Sequence, residues 1–302
     1  MNNLSRDKQI EIISALCEGI GQRAVARLTG TDRKTVARLA LSVGRGCAVL
    51  HDGMMVGIRT SRIELDEVWA FIGQRRRREA KPRPDAQRGD AYTFVALASS
   101  TRAIIGYRTG ARDSHNTMEF IHDLRERVIG LPEISTDGYM PYKTAIRDAF
   151  GNRIAHGQVV KTYSVTHLAV KETARRYSPA QVVAVERDVV SGVPAHISTS
   201  YVERSHLTLR QSCKRFARLG NGFSKKLDPH CAAVSLYVAH YNLCRVHESL
   251  RTATPAMAIG IAGSPWTIGE LIDAALATQP ITPVTTAPDR RKLFRVIDGG
   301  RE

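Results

Sequence analysis

Three carboxylates fall where a phosphate-processing site would need them. Asp66 lies in the alternating segment SRIELDEVWAFI, on one strand face with Glu64 and opposite Glu67. Asp137 ends the short strand-like run PEISTDGY, and Gly138 allows a tight turn that carries the carboxylate beyond the sheet edge. Glu203 opens the helical pattern SYVERSHLTLRQSCKRFARL. An acid inside an apolar strand is costly to bury unless it is paired or bound to a metal. Carboxylates from separate elements, with positions left open for substrate oxygens, suit Mg²⁺, with Mn²⁺ as a substitute. Two such ions about 3.5–4 Å apart stabilise both the attacking and the leaving oxygen of an in-line displacement at phosphorus. Any one of the three acids alone reads equally as a solvated residue, a cap or half of an ion pair. Their value comes from appearing together beside a DNA-binding pattern.

That pattern occupies residues 4–43, which read as three short helices. Ile10, Ile13 and Cys17 form one stripe, Ala24, Val25 and Leu28 a second, and Val36, Leu39 and Val43 a third. Gly30 breaks the second from the third, and Thr31 or Asp32 can cap the third helix. The segment GQRAVARLTGTDRKTVARL therefore has the layout of a helix-turn-helix, whose second helix lies in the DNA major groove. Its early polar residues, Arg33, Lys34 and Arg38, are the expected DNA contacts. The plainer alternative is a small helical bundle with a solvated basic face.

Net charge favours the first reading. Lys and Arg number 44 against 29 Asp and Glu, a formal charge of +15 in 302 residues. Such an excess is self-repulsive unless the partner is a polyanion, and double-stranded DNA is the first candidate. A membrane surface is disfavoured because no basic amphipathic helix with a bulky apolar face is visible. No apolar run reaches the roughly 18 residues a membrane span needs. The start, MNNLSRDKQIEII, lacks the apolar core of a signal peptide, which points to the cytoplasm. Five scattered cysteines without a CxxC pair argue against a disulfide framework or a zinc knuckle. Cys231, His240, Cys244 and His247 have no usual zinc spacing, so packing is the preferred role for them.

The remaining elements must position the acids. Residues 44–59 lose periodicity and carry Gly44, Gly46, Gly53 and Gly57, as a linker would. SRIELDEVWAFI, AYTFVALAS and RAIIGYRTG then read as three strands, the first two joined by a polar loop. Helix, strand, helix and a fifth strand come next, through SHNTMEFIHDLRERV, PEISTDGY, YKTAIRDAF and HGQVVKTYSV. The expected fold is α/β, a mixed five-stranded sheet with helices on both faces. QVVAVERDVVSG reads as an extra strand or hairpin, two helical patterns lie beyond it, and the Pro/Thr-rich end from residue 280 reads as a basic mobile tail. In the loop before the second strand, Arg75, Arg76, Arg77 and Arg78 either grip DNA phosphates or are simply solvated.

Four motifs together carry a family resemblance: ELDEVWAF, STDGY, YVERSHLTLRQSCKRFARL with FSKKLDPH behind it, and YNLCRVHESLRTATPAMA. Over most of residues 4–275 the chain resembles the DDE transposases of bacterial insertion sequences, in the insertion-sequence-one family. The resemblance implies a ribonuclease H-like catalytic core behind a helix-turn-helix domain. It further implies Mg²⁺-dependent cleavage of DNA at the element's ends and transfer of the freed 3′-hydroxyl to target DNA. The expected partners are end and target DNA and further copies of the chain, with no nucleotide cofactor and no membrane. Carried over, Asp66, Asp137 and Glu203 are the three acids and metal ligands, and Arg210 is the basic residue seven positions after the glutamate. Positions i and i+7 share a helix face about 10.5 Å apart, so one helix can offer a ligand and a phosphate contact. A solvated helix charge is the alternative for Arg210. His206 lies between them, where relatives often have Asn, and its role is open. The gap from Asp137 to Glu203 implies an insertion around residues 164–198. Glu172 fits a compact spacing better, but Pro179 would stop its helix before a matching basic residue, so Glu203 is preferred. The expected domains are 1–50 (DNA-binding), 58–262 (catalytic) and 263–302 (a C-terminal helix and basic tail). A nuclease that hydrolyses without strand transfer and a DNA-binding regulator with an inactive core are the rival functions.

Overall fold

The computed structural model describes residues 4–73, 89–164, 182–216 and 221–278. Helix α1 (Arg6–Cys17) starts at Ser5, whose hydroxyl accepts from the Lys8 N–H. Helix α2 (Gln22–Thr29) stops at Gly30, which takes the left-handed backbone (φ +64°) open to glycine. Two residues later Asp32 caps α3 (Arg33–Met54), its Oδ1 accepting from the Lys34 and Thr35 amides. Ile12, Val25 and Val36, one from each helix, are fully buried against one another.

The linker expected at residues 44–59 does not exist as such, because α3 runs unbroken for 22 residues to Met54. Gly44 and Gly46 are contact points. A Cβ on Gly44 would overlap the carbonyl of Ala232, and one on Gly46 the carbonyl of Ala275. The missing side chains let two other helices cross α3 at backbone distance.

Strands β1 (Arg62–Ile72), β2 (Gly89–Ala98), β3 (Ile104–Gly110), β4 (Glu133–Asp137), β5 (His156–Tyr163) and β6 (Val182–Ser191) form one mixed sheet in the order β3-β2-β1-β4-β5-β6. β1 pairs antiparallel with β2 and parallel with β4, while β4 and β5 are parallel. The sheet thus has six strands where five were expected. The extra-strand segment joins it as β6, antiparallel to β5 with Glu186 opposite Val160. Helices α4 (Ser114–Arg127) and α5 (Pro141–Phe150) cover one face, burying Phe120, Leu124, Tyr142 and Ile146 against Ile63, Leu65 and Phe94. Helices α6 (Ser200–Ser212) and α7 (Leu227–Ala239) cover the other, where Val202, Leu209, Val234 and Tyr237 meet Val68, Ala70 and Val95. The long pattern that begins at Ser200 is cut at Cys213 by a 3-10 turn over Lys214–Phe216.

After a π-helical turn at His240–Cys244 the chain folds back toward α3. In the HESL segment His247 Nδ1 accepts from the Ser249 amide, and Thr254 caps the short helix α8 (Pro255–Ala258), whose Pro255 and Ala256 are buried. Helix α9 (Ile268–Ala277) carries a reciprocal Thr267–Glu270 cap. Its Leu271, Ile272 and Ala275 share a core with Ile13, Val43 and Cys47, so α1 and α9 pack together. Among the described residues no helix is long and apolar enough to cross a membrane.

Candidate active site

Alternation along β1 sends its acids to opposite faces. Glu64, on the α6 side, is 2% exposed and accepts from the Tyr201 and Val202 amides at 2.8 and 3.0 Å and from the Ser99 hydroxyl. A carboxylate under a helix N-terminus meets unpaired N–H groups and the positive end of the helix dipole. Burial still pushes its pKa above the ordinary value, and the two amides pull it back. Glu64 therefore seats α6, the helix that carries Glu203, on the strand that carries Asp66.

Two residues on, Asp66 Oδ1 accepts from the Glu67 amide at 2.8 Å, and Oδ2 lies 3.3 Å from His206 Nδ1. His206 is 4% exposed, and its Nε2 finds no hydrogen-bond partner among the described residues. The β1–β4 pairing matches Glu64 with Ser135, and continuing that register brings Asp66 level with Asp137. Asp137 closes an Asx-type turn, its Oδ1 accepting from the Tyr139 amide at 3.0 Å. Its pKa is raised, mainly by burial, with Asp66 adding to the effect.

Glu67 joins this pair from the other face. Oxygens of Asp66, Glu67 and Asp137 lie within 4.8 Å of one another, the spacing of a metal-binding group, and no other His, Cys, Asp or Glu group among the described residues has it. The Glu67 side chain is only 3% exposed, and its Oε1 makes no hydrogen bond of normal geometry, although the Tyr142 hydroxyl lies beside it. Burial, with help from Asp137, pushes its pKa up to about 7. Arg112, in the loop between β3 and α4, bridges the pair, donating from Nε to Glu67 at 3.1 Å and from Nη2 to Asp137 at 3.3 Å. Its guanidinium lies 3.8 Å from the centre of the Tyr139 ring.

Glu203 sits in the first turn of α6 and binds through Oε1 to the Lys161 ammonium of β5 and the Thr199 hydroxyl. A cleft of about 760 Å³ is lined by Asp66, Glu67, Asp137, Glu203, His206 and Arg210 together with Arg112 and Lys161. The four expected catalytic residues, Asp66, Asp137, Glu203 and Arg210, are thus brought to one cavity. Glu203 nevertheless lies outside the tight carboxylate trio, in an ion pair with Lys161. Hard carboxylate oxygens in this number fit Mg²⁺ or Mn²⁺ and not a soft metal.

Arg33, Lys34 and Arg38 are exposed on the first two turns of α3. Arg75, Arg76, Arg77 and Arg78, the rival Glu172 and the tail beyond residue 278 lie outside the described residues. Glu67, Arg112 and Lys161 are site residues that the sequence reading did not single out for the cleft. Only Glu67 had a signal, as the acid adjoining Asp66.

No protein-family model matches the chain, and no curated protein does. Among solved structures the chain is similar to the piggyBac transposase synaptic complex with hairpin DNA, at 9% identity and a TM-score of 0.39, over 100% of this chain and 80% of that one. It is similar to the Mos1 strand transfer complex at 10% identity and a TM-score of 0.31, over 93% and 81% of the two chains. The Mos1 mariner paired end complex with Mn gives 12% identity and a TM-score of 0.24, over 93% and 81%.

Proposed function

We propose that the chain is a DDE-type DNA transposase of the insertion-sequence-one kind, which cleaves DNA at the ends of its element and transfers the 3′-hydroxyl to a target. The observation that carries this reading is the convergence of Asp66, Asp137, Glu203 and Arg210 on one cleft beside the parallel strands β1 and β4 and helix α6. The mixed sheet, covered on both faces, is compatible with the ribonuclease H-like core that the motif resemblance implies.

Asp66, Asp137 and Glu203 are the proposed ligands, with Glu67 adjoining them. Mg²⁺, or Mn²⁺ in its place, would supply activation of the attacking oxygen and stabilisation of the leaving one. The chain's own residues do the positioning. His206 orients the Asp66 carboxylate, Glu64 seats the helix bearing Glu203, and Arg210, Lys161 and Arg112 offer positive charge to a phosphodiester entering the cleft. Residues 1–50 form the proposed DNA-binding unit, with Arg33, Lys34 and Arg38 on the second helix of a helix-turn-helix and Arg75–Arg78 as further phosphate contacts. Residues 58–262 form the catalytic unit, and residues 263–302 the C-terminal helix and tail. Two ends must be handled together, so the working species is a homo-oligomer on DNA.

The test is Mg²⁺-dependent nicking of a supercoiled plasmid that carries the element's ends. Asp66→Asn, Asp137→Asn and Glu203→Ala are expected to retain end binding and to lose roughly 10²–10³-fold or more in cleavage rate. Glu172→Ala should cleave normally, and a dead Glu172→Ala beside an active Glu203→Ala would reassign the third acid. Wild-type protein that binds the ends and never nicks them would sink the enzyme reading in favour of a regulator.

A further inference from the structure

The Asp66–Glu67–Asp137 trio is not a set of bare carboxylates, because a side chain of the protein already lies across it. Arg112 donates to Glu67 and to Asp137 at once and rests on the face of Tyr139. Its two partners are unequal. The Glu67 side chain is 3% exposed, so losing its cation would leave a buried charge uncompensated. Asp137 is 34% exposed, its carboxylate also accepts from the Tyr139 amide, and its contact to Arg112 is the longer of the two. A partly exposed and longer ion-pair contact is weaker than a buried one and is the less costly of the two to break. The Asp137 contact is therefore the one that can open, while the Glu67 contact and the Tyr139 ring hold the guanidinium at the cleft wall. The Glu67 Oε1 and the Tyr142 hydroxyl beside it are both buried without a hydrogen bond of normal geometry.

We infer that Arg112 is an exchangeable cation of the active centre: it balances the trio through Asp137, yields Asp137 to a divalent metal, and then, still anchored on Glu67, contacts the phosphate of the DNA. This rests on the metal-dependent reading above and adds a residue that the three-acid motif does not contain. Arginine suits the role because its planar fork can hold one carboxylate while presenting further N–H groups to phosphate oxygens.

Mn²⁺ binding to the full chain without DNA, measured by calorimetry, tests the exchange for wild type, Arg112→Gln and Arg112→Lys. Arg112→Gln should bind Mn²⁺ about tenfold tighter, since a positive charge that competes for Asp137 is gone. Arg112→Lys keeps the charge and should bind close to wild type. At saturating Mn²⁺, with metal affinity no longer limiting, Arg112→Gln should cleave an end-bearing duplex at least about tenfold more slowly, the loss of one charge-assisted phosphate contact. Thermal melting of each variant checks that it folds. Wild type that binds Mn²⁺ while Arg112→Gln binds it no tighter overturns the exchange, and wild-type cleavage by Arg112→Gln overturns the phosphate contact. Wild type that binds no Mn²⁺ overturns the metal-dependent reading and this one with it.

Discussion

Glu67 shows how a single side chain can be set by its surroundings and not by its type. Burial and the nearby Asp137 raise its pKa to about 7, and the Arg112 guanidinium opposes them only in part. In the unfolded chain the same group ionises near about 4.3. The folded protein therefore holds this proton more tightly, so the group's contribution to stability is complete below the ordinary carboxylate range and is lost as pH rises through about 7. Glu67→Gln keeps the shape without the titration. In metal-free buffer the wild type should lose on the order of 2 kcal/mol relative to Glu67→Gln between about pH 4.5 and 7.5. Thermal denaturation across that range reads the effect, and a pH-independent difference between the two proteins would mean that Glu67 titrates normally. The alternation rule puts Glu67 on the far side of the strand from Asp66, which is why the sequence does not group it with the three acids. What that rule omits is that β4 ends at Asp137 while β1 continues, so side chains from both faces of β1 can reach the strand end. Arg112 gave no signal at all, since a loop arginine has no periodicity and its partners are 45 and 25 residues distant.

At the scale of elements, most of the fold was legible because hydrophobic period and caps agreed. The Gly30–Asp32 turn, the helices read from SHNTMEFIHDLRERV and YKTAIRDAF and the alternating β1–β3 segments all form where their patterns put them. Glycine was the weak point. A glycine that loosens a chain and one that admits a neighbouring backbone look the same in a sequence, and α3 contains both kinds. Gly44 and Gly46 face carbonyls of α7 and α9, whereas nothing lies within 4 Å of a Cβ built on Gly53. Gly46→Val should therefore cost roughly 1–3 kcal/mol, the usual penalty of overpacking, or more if α9 is pushed off. Gly53→Ala, in the same helix, should add about 0.4–1 kcal/mol by restricting the unfolded chain and improving helix propensity. Urea denaturation of the two variants decides the matter. If Gly46→Val is as stable as wild type, the helices do not cross at the glycines and the linker reading regains its ground. The sixth strand was visible as a β-rich run, but nothing local could say that it would extend the main sheet at β5, since pairing partners are a long-range property.

For the whole molecule, the continuity of α3 changes what the charge of +15 can do. On a flexible linker, a basic helical unit would only raise the local concentration of DNA near the cleft. Here the exposed Arg33, Lys34 and Arg38 stand at one end of a helix of 22 residues, about 33 Å long, whose other end is locked to the sheet. His51, near that end, is buried, its pKa lowered to about 3 by desolvation, so the neutral ring donates from Nε2 to the Ile105 carbonyl of β3. Gly44, Gly46 and the shared core with α9 fix the middle. Under the proposed DNA-binding role, DNA held at the start of α3 would be held at a set distance from Asp66, and electrostatic grip would become register. If those three side chains each neutralise a phosphate, the slope of log affinity against log salt should fall by about 0.9 for each one removed. Arg33→Ala/Lys34→Ala/Arg38→Ala should thus lower the slope by roughly 2–3 units and weaken end binding at low salt. The rate of cleavage once DNA is bound at saturation should fall as well, because the register is lost along with the affinity. Fluorescence anisotropy over a salt series, paired with single-turnover nicking, separates the two effects. An unchanged slope would leave these residues as a solvated face. A lower slope with normal saturated cleavage would leave α3 as a tether whose rigidity has no part in aligning the DNA.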